Sequence, residues 1–234
     1  MTQVDQEAVN AVNEQTLKYV DYSKALLNQL STQPPELIDF LKTNLPAYYD
    51  QVNQVIGVYN QCSPTPITCK MGCTYCCNNI VSVTAIEAMN IWYQLFTHFT
   101  EEQIEDYKKE FISRRDKMDQ LQHLAVDIND LCTKYVAANL PCQFIDDEKK
   151  CSIYEARPMS CRNINVVSDP EYCSDLVKNI SNLRAWRHPK ITDLDLRFQT
   201  ICSVIFLNDN ETGFMQDKLL KYESMARDLF LPKD

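Results

Sequence analysis

The sequence predicts a mostly α-helical protein, arranged as a helical bundle around a loop-based cysteine-cluster metal site. Apolar residues recur at helical spacing through most of the chain, which is typical of amphipathic helices. Two capping-box patterns mark the starts of helices in the middle section. The first cysteines, by contrast, follow prolines and surround a glycine, which indicates a loop. Helices would therefore form the scaffold, and loops would carry the thiols.

The first two predicted helices form an N-terminal hairpin, assigned to residues 1–60 and packed on the rest of the protein. Apolar residues at helical spacing predict a helix over residues 1–31, and a Pro-Pro pair ends it. A second helix is predicted over residues 36–59. Because proline cannot donate a helical hydrogen bond, Pro46 should kink or divide this second helix.

Two capping boxes define the helices of the middle section. Thr84 and Glu87 start a helix that runs to about residue 99, so Glu87 is interpreted as a capping residue and not as a catalytic carboxylate. Thr100 and Gln103 start a longer helix, which the apolar pattern extends to residue 138. This long helix would lie as a spacer between the two groups of cysteines.

The remaining helices are predicted near the C-terminus. The stretch from residue 168 to 171 is typical of a helix start, and a closing amphipathic helix is predicted over residues 214–230. We therefore assign residues 61–180 to a cysteine-cluster metal-binding domain. Residues 181–234 form a C-terminal helical extension in this division.

Composition excludes several classes of function. The net charge of −9 argues against a nucleic-acid partner, which requires a basic surface. No apolar run approaches the length of about eighteen residues that would predict a membrane span. The three glycines form neither a G-x-G-x-x-G motif nor a P-loop, which disfavours a glycine-rich nucleotide or S-adenosylmethionine site. The N-terminus lacks the features of a secretory signal, so we expect a cytoplasmic protein.

The cysteines are the main candidates for function. In a reducing compartment, eleven cysteines are more readily explained as ligands than as disulfides. Most of them fall into two sets of four, Cys69, Cys73, Cys76 and Cys77, followed by Cys142, Cys151, Cys161 and Cys173.

Local sequence adds two expectations about these cysteines. Gly72 precedes Cys73 and should allow a left-handed turn that aims successive thiols at one point. Three cysteines lie outside the sets: Cys132, Cys202 and Cys62 are interpreted as core residues, and the position of Cys62 near the cluster leaves a role as a substitute ligand open for it alone.

Thiolates are soft ligands, so a site made only of cysteines selects zinc, an iron–sulfur cluster or copper(I). The C-x2-C spacing suits zinc and iron–sulfur sites alike. The adjacent pair Cys76-Cys77 seldom serves one mononuclear metal, which favours an iron–sulfur cluster and leaves zinc open. Arg157 and Arg162 would either donate charge-assisted hydrogen bonds to the cluster or pair with Glu155 and hold a loop.

Two cysteine runs together resemble the YkgJ family of cysteine-cluster proteins. These are Cys69-x3-Cys73-x2-Cys76-Cys77 and, with Cys142 before it, Cys151-Ser-Ile-Tyr-Glu-Ala-Arg-Pro-Met-Ser-Cys161-Arg162. That family is described as a zinc- or iron-chelating domain and includes the flagellin lysine N-methylase. The resemblance implies iron–sulfur or zinc binding, with the ligands Cys69, Cys73, Cys76, Cys77, Cys142, Cys151 and Cys161 and with Cys173 as the eighth.

Three functions follow from this resemblance and from the residues. The favoured one is a metal-chelating protein with a redox or accessory role. The second is a protein lysine N-methylase acting on a protein partner, implied by the resemblance alone, with no catalytic residue identified in this chain. The third is a helical interaction module that zinc holds together.

Overall fold

The computed structural model describes residues 3–63, 65–70, 72–175, 178–186 and 189–231. Its helical content of 69% confirms the prediction of a mostly α-helical fold. The α-helices in chain order are α1 (Gln3–Thr32), α2 (Leu37–Asp39), α3 (Leu45–Cys62), α4 (Ala85–His98), α5 (Glu101–Leu124), α6 (Ile128–Ala137), α7 (Met159–Arg162), α8 (Pro189–Leu207) and α9 (Met215–Phe230).

Short strands complete the described fold. They are β1 (Ser82–Val83), β2 (Asn165–Val166), β3 (Ala185–Trp186) and β4 (Gly213–Phe214). Strand β1 pairs with β4 and β2 pairs with β3, both antiparallel. The described helices include none that is long and apolar enough to cross a membrane.

The first helices of the chain pack against each other, and a short π-helical segment precedes Pro46. Helices α1 and α3 lie against each other and against α8. Between α2 and α3 the segment Phe40–Asn44 is π-helical, and the N–H group of Leu45 bonds to the carbonyl of Phe40. Since Pro46 has no N–H group, the wider turn absorbs the defect and the chain continues as a helix. The predicted distortion is thus confirmed.

Helix α4 occupies the centre of the structure. Its N-terminus has the predicted capping box, with Thr84 and Glu87 bonded reciprocally. Trp92 is fully buried and donates its Nε1–H to the carbonyl of Leu219 in α9, at 2.8 Å. Helices α8 and α9 pack against α4. The first turn of α4 is therefore held in place by the core, and it faces the loops that carry cysteines.

The single long helix predicted from residue 101 to 138 is wrong. Its start is confirmed, because Thr100 and Gln103 form the second capping box, but α5 ends at Leu124. The Asp127 carboxylate accepts the N–H of Asp130 at 2.9 Å and begins α6. The Asp130 carboxylate in turn accepts the N–H of Val126 at 3.0 Å. These carboxylates accept backbone N–H groups that would bond to backbone carbonyls in a continuous helix, so the helix ends and the chain turns there.

Candidate metal centre

Hydrogen bonds hold Cys69, the first cysteine of the first set, beside β2. The N–H of Thr68 donates to the carbonyl of Val166 at 2.8 Å, and the N–H of Val166 donates to the Sγ of Cys69 at 3.3 Å. Gly72 has a φ of 86°, which confirms the predicted left-handed turn before Cys73. The loop therefore turns sharply between its first two thiols.

A hydrogen bond joins the two cysteine sets directly. Cys76 and Cys77 lie in a 3₁₀ turn over Tyr75–Asn78. The N–H of Cys142 donates to the carbonyl of Cys77 at 2.8 Å. The backbone contact brings the start of the second set against the end of the first. The polypeptide between them, which includes α4, α5 and α6, closes a loop around this contact.

The second set is held by a hairpin-like turn and by α7. Ile145 and Cys151 form an isolated antiparallel bridge, and the N–H of Ser152 donates to the carbonyl of Phe144 at 2.7 Å. Cys161 lies within α7, where its N–H donates to the carbonyl of Pro158 at 2.9 Å. Each of these cysteines is thus placed by backbone bonds rather than by a free loop.

Two adjoining cavities collect the thiols. The first thiol cavity, of about 110 Å³, includes Cys77, Cys142 and Cys151 in its lining. The second thiol cavity, of about 270 Å³, includes Cys69. The cysteines that line both are Cys73, Cys76 and Cys161. In the described part of the chain, no three His, Cys, Asp or Glu side chains form a ready-made metal site. The thiols therefore surround the cavities without converging on a single point.

Cys173, the predicted eighth ligand, lies beside this group. It is buried in a 3₁₀ turn over Pro170–Asp175, which packs against the turn that carries Cys76. Burial raises the pKa of Cys173 to about 12, and the nearby thiols of Cys76, Cys69 and Cys73 act in the same direction. The three other cysteines line neither thiol cavity. Cys202 is buried as predicted, Cys132 is only half-buried, and Cys62 lies beside Trp186 in a separate cavity.

The charge around the thiols is positive. The described residues that line the two thiol cavities include no Asp, Glu or His, and their charged members are Lys70, Lys149 and Arg157. The guanidinium of Arg157 lies 4.0 Å from the ring centre of Tyr154, and its buried Nε has no hydrogen-bond partner among the described residues. A thiolate or sulfide would satisfy that donor.

The two predicted arginines occupy different positions. Buried Arg162 lies 4.2 Å from the ring centre of Tyr49 and donates from Nε to the carbonyl of Arg157 at 3.0 Å. Its Nη2 donates to the carbonyl of Glu155. These described bonds hold the loop between Glu155 and Cys161. Arg157 is the arginine that lines the thiol cavities.

The thiols differ in how readily they lose a proton. A hydrogen bond with the Cys77 thiol lowers the pKa of Cys76 to about 7, and the charge of Arg157 acts in the same direction against burial. The same bond, with burial, raises the pKa of Cys77. Burial also raises the pKa of Cys142 to about 11 and that of Cys161. Cys76 is therefore the thiol best prepared to meet a metal ion as thiolate.

Buried carboxyl groups behind the thiol loop were not predicted from the sequence. Asp195 is 4% exposed and accepts a hydrogen bond from the Tyr48 hydroxyl at 3.0 Å. Burial, and after it the charge of Glu87, raises the pKa of Asp195 well above the usual range. The sequence holds one signal for this position. Asp195 falls at helical spacing between Ile191 and Cys202, both of which are buried in α8.

We expect the free energy of unfolding of the variant Asp195→Asn, relative to that of the parent protein, to increase as the pH rises. A carboxyl group with a raised pKa stabilises the folded state at low pH and loses that contribution as the pH rises toward the folded pKa. Relative to the parent, the free energy of unfolding should therefore increase with pH from about 4 upward, by at most about 1.4 kcal/mol per pH unit. Urea unfolding between pH 5 and 8 measures this difference.

Asp193→Asn is the matched control on the same helix, because its side chain is 71% exposed. This variant should follow the pH profile of the parent. Parallel profiles for the parent and Asp195→Asn would contradict the expected role of the buried carboxyl group.

The described chain is helical and rich in cysteine, and its thiols line two adjoining cavities. In agreement with this, residues 68–182, just under half of the chain, match the family model CxxCxxCC, described as "Putative zinc- or iron-chelating domain". The match includes both cysteine sets and supports metal chelation in general. A comparison with curated proteins gives no match, and neither does a comparison with solved structures.

Proposed function

We propose that this chain is a cytoplasmic metal-chelating protein that holds an iron–sulfur cluster in a redox or accessory role. The observation that carries the proposal is the meeting of two cysteine sets around adjoining cavities whose described lining has no acidic or imidazole ligand. The proposed ligands are Cys69, Cys73, Cys76, Cys77, Cys142, Cys151, Cys161 and Cys173.

The donor chemistry fits a soft metal. Thiolates favour zinc, copper(I) and iron–sulfur clusters, whereas calcium and magnesium prefer oxygen ligands. The described lining residues offer thiols in excess of the four that one zinc ion or one four-iron cluster requires. A bound iron–sulfur cluster would supply electron transfer, and the chain itself would bind it and limit its contact with water.

The adjacent thiols favour a polynuclear centre. Cys76 and Cys77 both line the first thiol cavity although they are neighbours in the chain. Neighbouring side chains rarely reach one tetrahedral ion together, but they can reach two irons of one cluster. This geometry is the reason why we prefer an iron–sulfur cluster to zinc.

Positive charge near the cavities supports an anionic thiolate centre. Several thiolates in a partly buried site repel one another unless nearby cations offset the charge. Lys70, Lys149 and Arg157 supply such charge, and the unpartnered Nε of Arg157 supplies a donor. We propose that Arg157 hydrogen-bonds the centre, whereas Arg162 acts from further away by fixing the loop that carries Cys161.

The finer family resemblance supports metal binding more strongly than catalysis. The two cysteine runs that resemble the YkgJ family are the same runs that line the cavities. Lysine N-methylation of a protein partner and a zinc-held interaction module stay as alternatives. Neither is favoured by a particular contact among the described residues.

Anaerobic purification tests the proposal. We expect a brown protein with broad visible absorption that contains iron and acid-labile sulfide, because the thiols would retain a cluster protected from oxygen. Metal analysis and sulfide determination on the same sample provide the measurement. A colourless protein with stoichiometric zinc would reject the cluster and favour the zinc-held module.

The same preparation also tests the enzyme alternative. Incubation with S-adenosylmethionine and lysine-containing proteins should leave lysines unmethylated if the role is redox or accessory. Methyl transfer that is lost in the variant Cys76→Ala would instead establish the methylase.

A further inference from the structure

A cavity on the other side of the thiol loop carries a separate arrangement of buried polar groups. This acidic cavity, of about 380 Å³, lies between the start of α4, the α7 segment and α8, and its lining includes Glu87, Asp195 and Gln199. Ser160 and Ile164 line both it and the first thiol cavity. The two cavities are therefore neighbours that share a wall.

The polar groups of the acidic cavity are buried and incompletely bonded. Gln199 is 1% exposed, and neither its Nε2 nor its Oε1 has a hydrogen-bond partner of suitable geometry among the described residues. Loose hydrogen-bond contacts of Gln199 with Asp195 and Tyr49 lower the pKa of both. A buried amide with no well-formed hydrogen bond is costly, and a ligand that bonds to it would remove that cost.

The cavity holds two carboxyl groups, Glu87 and Asp195, whose pKa burial raises and which a bound cation would hold in the charged form. Glu87 accepts the N–H of Thr84 and the N–H of Met159, each at 2.8 Å, and a carboxylate can accept further bonds. No described ion pair involves Glu87 or Asp195. The charge of Arg162 lowers the pKa of both, but its described hydrogen bonds go to backbone carbonyls. Two buried carboxyl groups without a bonded cation form a site for a positively charged ligand.

Apolar residues complete the lining. They are Val83, Met159, Ile164 and Leu196. Such walls suit a hydrocarbon chain, whereas a bare metal ion would need more oxygen ligands than these residues offer. We propose that the acidic cavity binds a small aliphatic ammonium ion, with its cationic group at Glu87, Asp195 and Gln199 and its alkyl chain against the apolar wall. The proposal does not depend on which metal the thiols hold.

Titration calorimetry on the anaerobically purified protein tests this site with n-butylammonium and, as its neutral counterpart, butan-1-ol. We expect saturable one-to-one binding of the ammonium ion and at least about tenfold weaker binding of the alcohol, which lacks the charge. Equal binding of the two probes, or no saturable heat with the ammonium ion, would overturn the proposal. This comparison needs no variant and so does not depend on refolding.

Variants of α8 locate the site. Asp195→Asn keeps the shape of the side chain and should weaken n-butylammonium binding by at least about tenfold. The exposed Asp193→Asn makes the same substitution on the same helix and should change the affinity less than about twofold. Leu196→Trp, at the partly exposed rim, should block binding by filling the cavity. Equal losses in the two Asp variants would overturn the assignment, because the effect would then be one of net charge.

Free amines and the side chain of a lysine in another protein share the proposed chemistry. A blocked lysine, Nα-acetyl-lysine N-methylamide, distinguishes these sources. If it binds more tightly than n-butylammonium, a lysine presented by a protein is the natural occupant. If it binds more weakly, the site takes free amines.

Discussion

The variant Cys161→Ser is expected to lose bound metal almost completely. Cys161 lines both thiol cavities, and its backbone is held within α7, so no neighbouring thiol can easily take its place. A serine hydroxyl is a hard ligand and a poor substitute for a thiolate. Structural zinc sites gain about 10–16 kcal/mol from all of their ligands together. The loss of one ligand should therefore weaken metal binding by at least about a hundredfold.

The measurement is metal and sulfide content per chain after anaerobic purification and competition with a chelator. Cys132→Ser is the matched control, because Cys132 is half-buried in α6 and lines neither thiol cavity. It should retain the metal content of the parent. If Cys161→Ser keeps the parental metal content and spectrum, Cys161 is not a ligand. If both variants lose metal equally, the loss reflects general instability.

The variant Cys76→Ser tests a second proposed ligand of the same centre. The pKa of Cys76 is lowered to about 7, whereas burial raises the pKa of Cys142 and Cys173. Its loss should slow the loading of metal as well as weaken retention, because the most readily formed thiolate is gone. The rate of reconstitution of the apo protein, compared with that of Cys132→Ser, separates this effect from retention alone.

Local sequence signals predicted the helix starts well. Thr84 with Glu87 and Thr100 with Gln103 form the bonds that the capping-box pattern requires, since both partners lie within three residues. The end of α5 was harder to predict. The apolar rows continue past residue 124, and the aspartates that stop the helix also occur in exposed helix positions. The helix ends here because the Asp127 carboxylate accepts the backbone N–H of Asp130, and the sequence alone does not distinguish this bond from an exposed aspartate in a continuing helix.

The cysteine sets were predictable from spacing, but their arrangement was not. Spacing indicates which thiols are candidate ligands, whereas the hydrogen bond between the N–H of Cys142 and the carbonyl of Cys77 depends on the path of the whole chain. The same limit applies to the arginines. Arg157 and Arg162 flank one short motif, yet Arg157 lines the thiol cavities and Arg162 stacks on Tyr49 in α3. Long-range packing separates their roles.

Glu87 shows how a residue with a local explanation can also act at long range. The capping box accounts for its bonds to Thr84, and the structure adds a bond from Oε1 to the N–H of Met159 at 2.8 Å. Met159 starts α7, the helix that contains Cys161. The buried carboxylate thus ties the central helix to the loop that carries the proposed ligands.

We therefore expect Glu87→Ala to destabilise the protein by about 2–4 kcal/mol. Loss of half of a capping box costs about 1 kcal/mol. The buried N–H of Met159 would lose its partner at a further cost of about 1–3 kcal/mol. Because α7 would lose its anchor, metal retention should fall together with the free energy of unfolding. Urea unfolding of the metal-free and the metal-loaded protein measures both effects.

Gln103→Ala is the matched comparison, because Gln103 occupies the same position in the exposed capping box of α5. Its bonds stay local, so the expected cost is about 1 kcal/mol or less, with unchanged metal content. The contrast between the two variants isolates the bond to Met159 from the capping box itself. Equal destabilisation by both, with metal retained in both, would show that Glu87 is a helix cap and nothing more. A larger loss confined to Glu87→Ala would show that the core of the bundle positions Cys161.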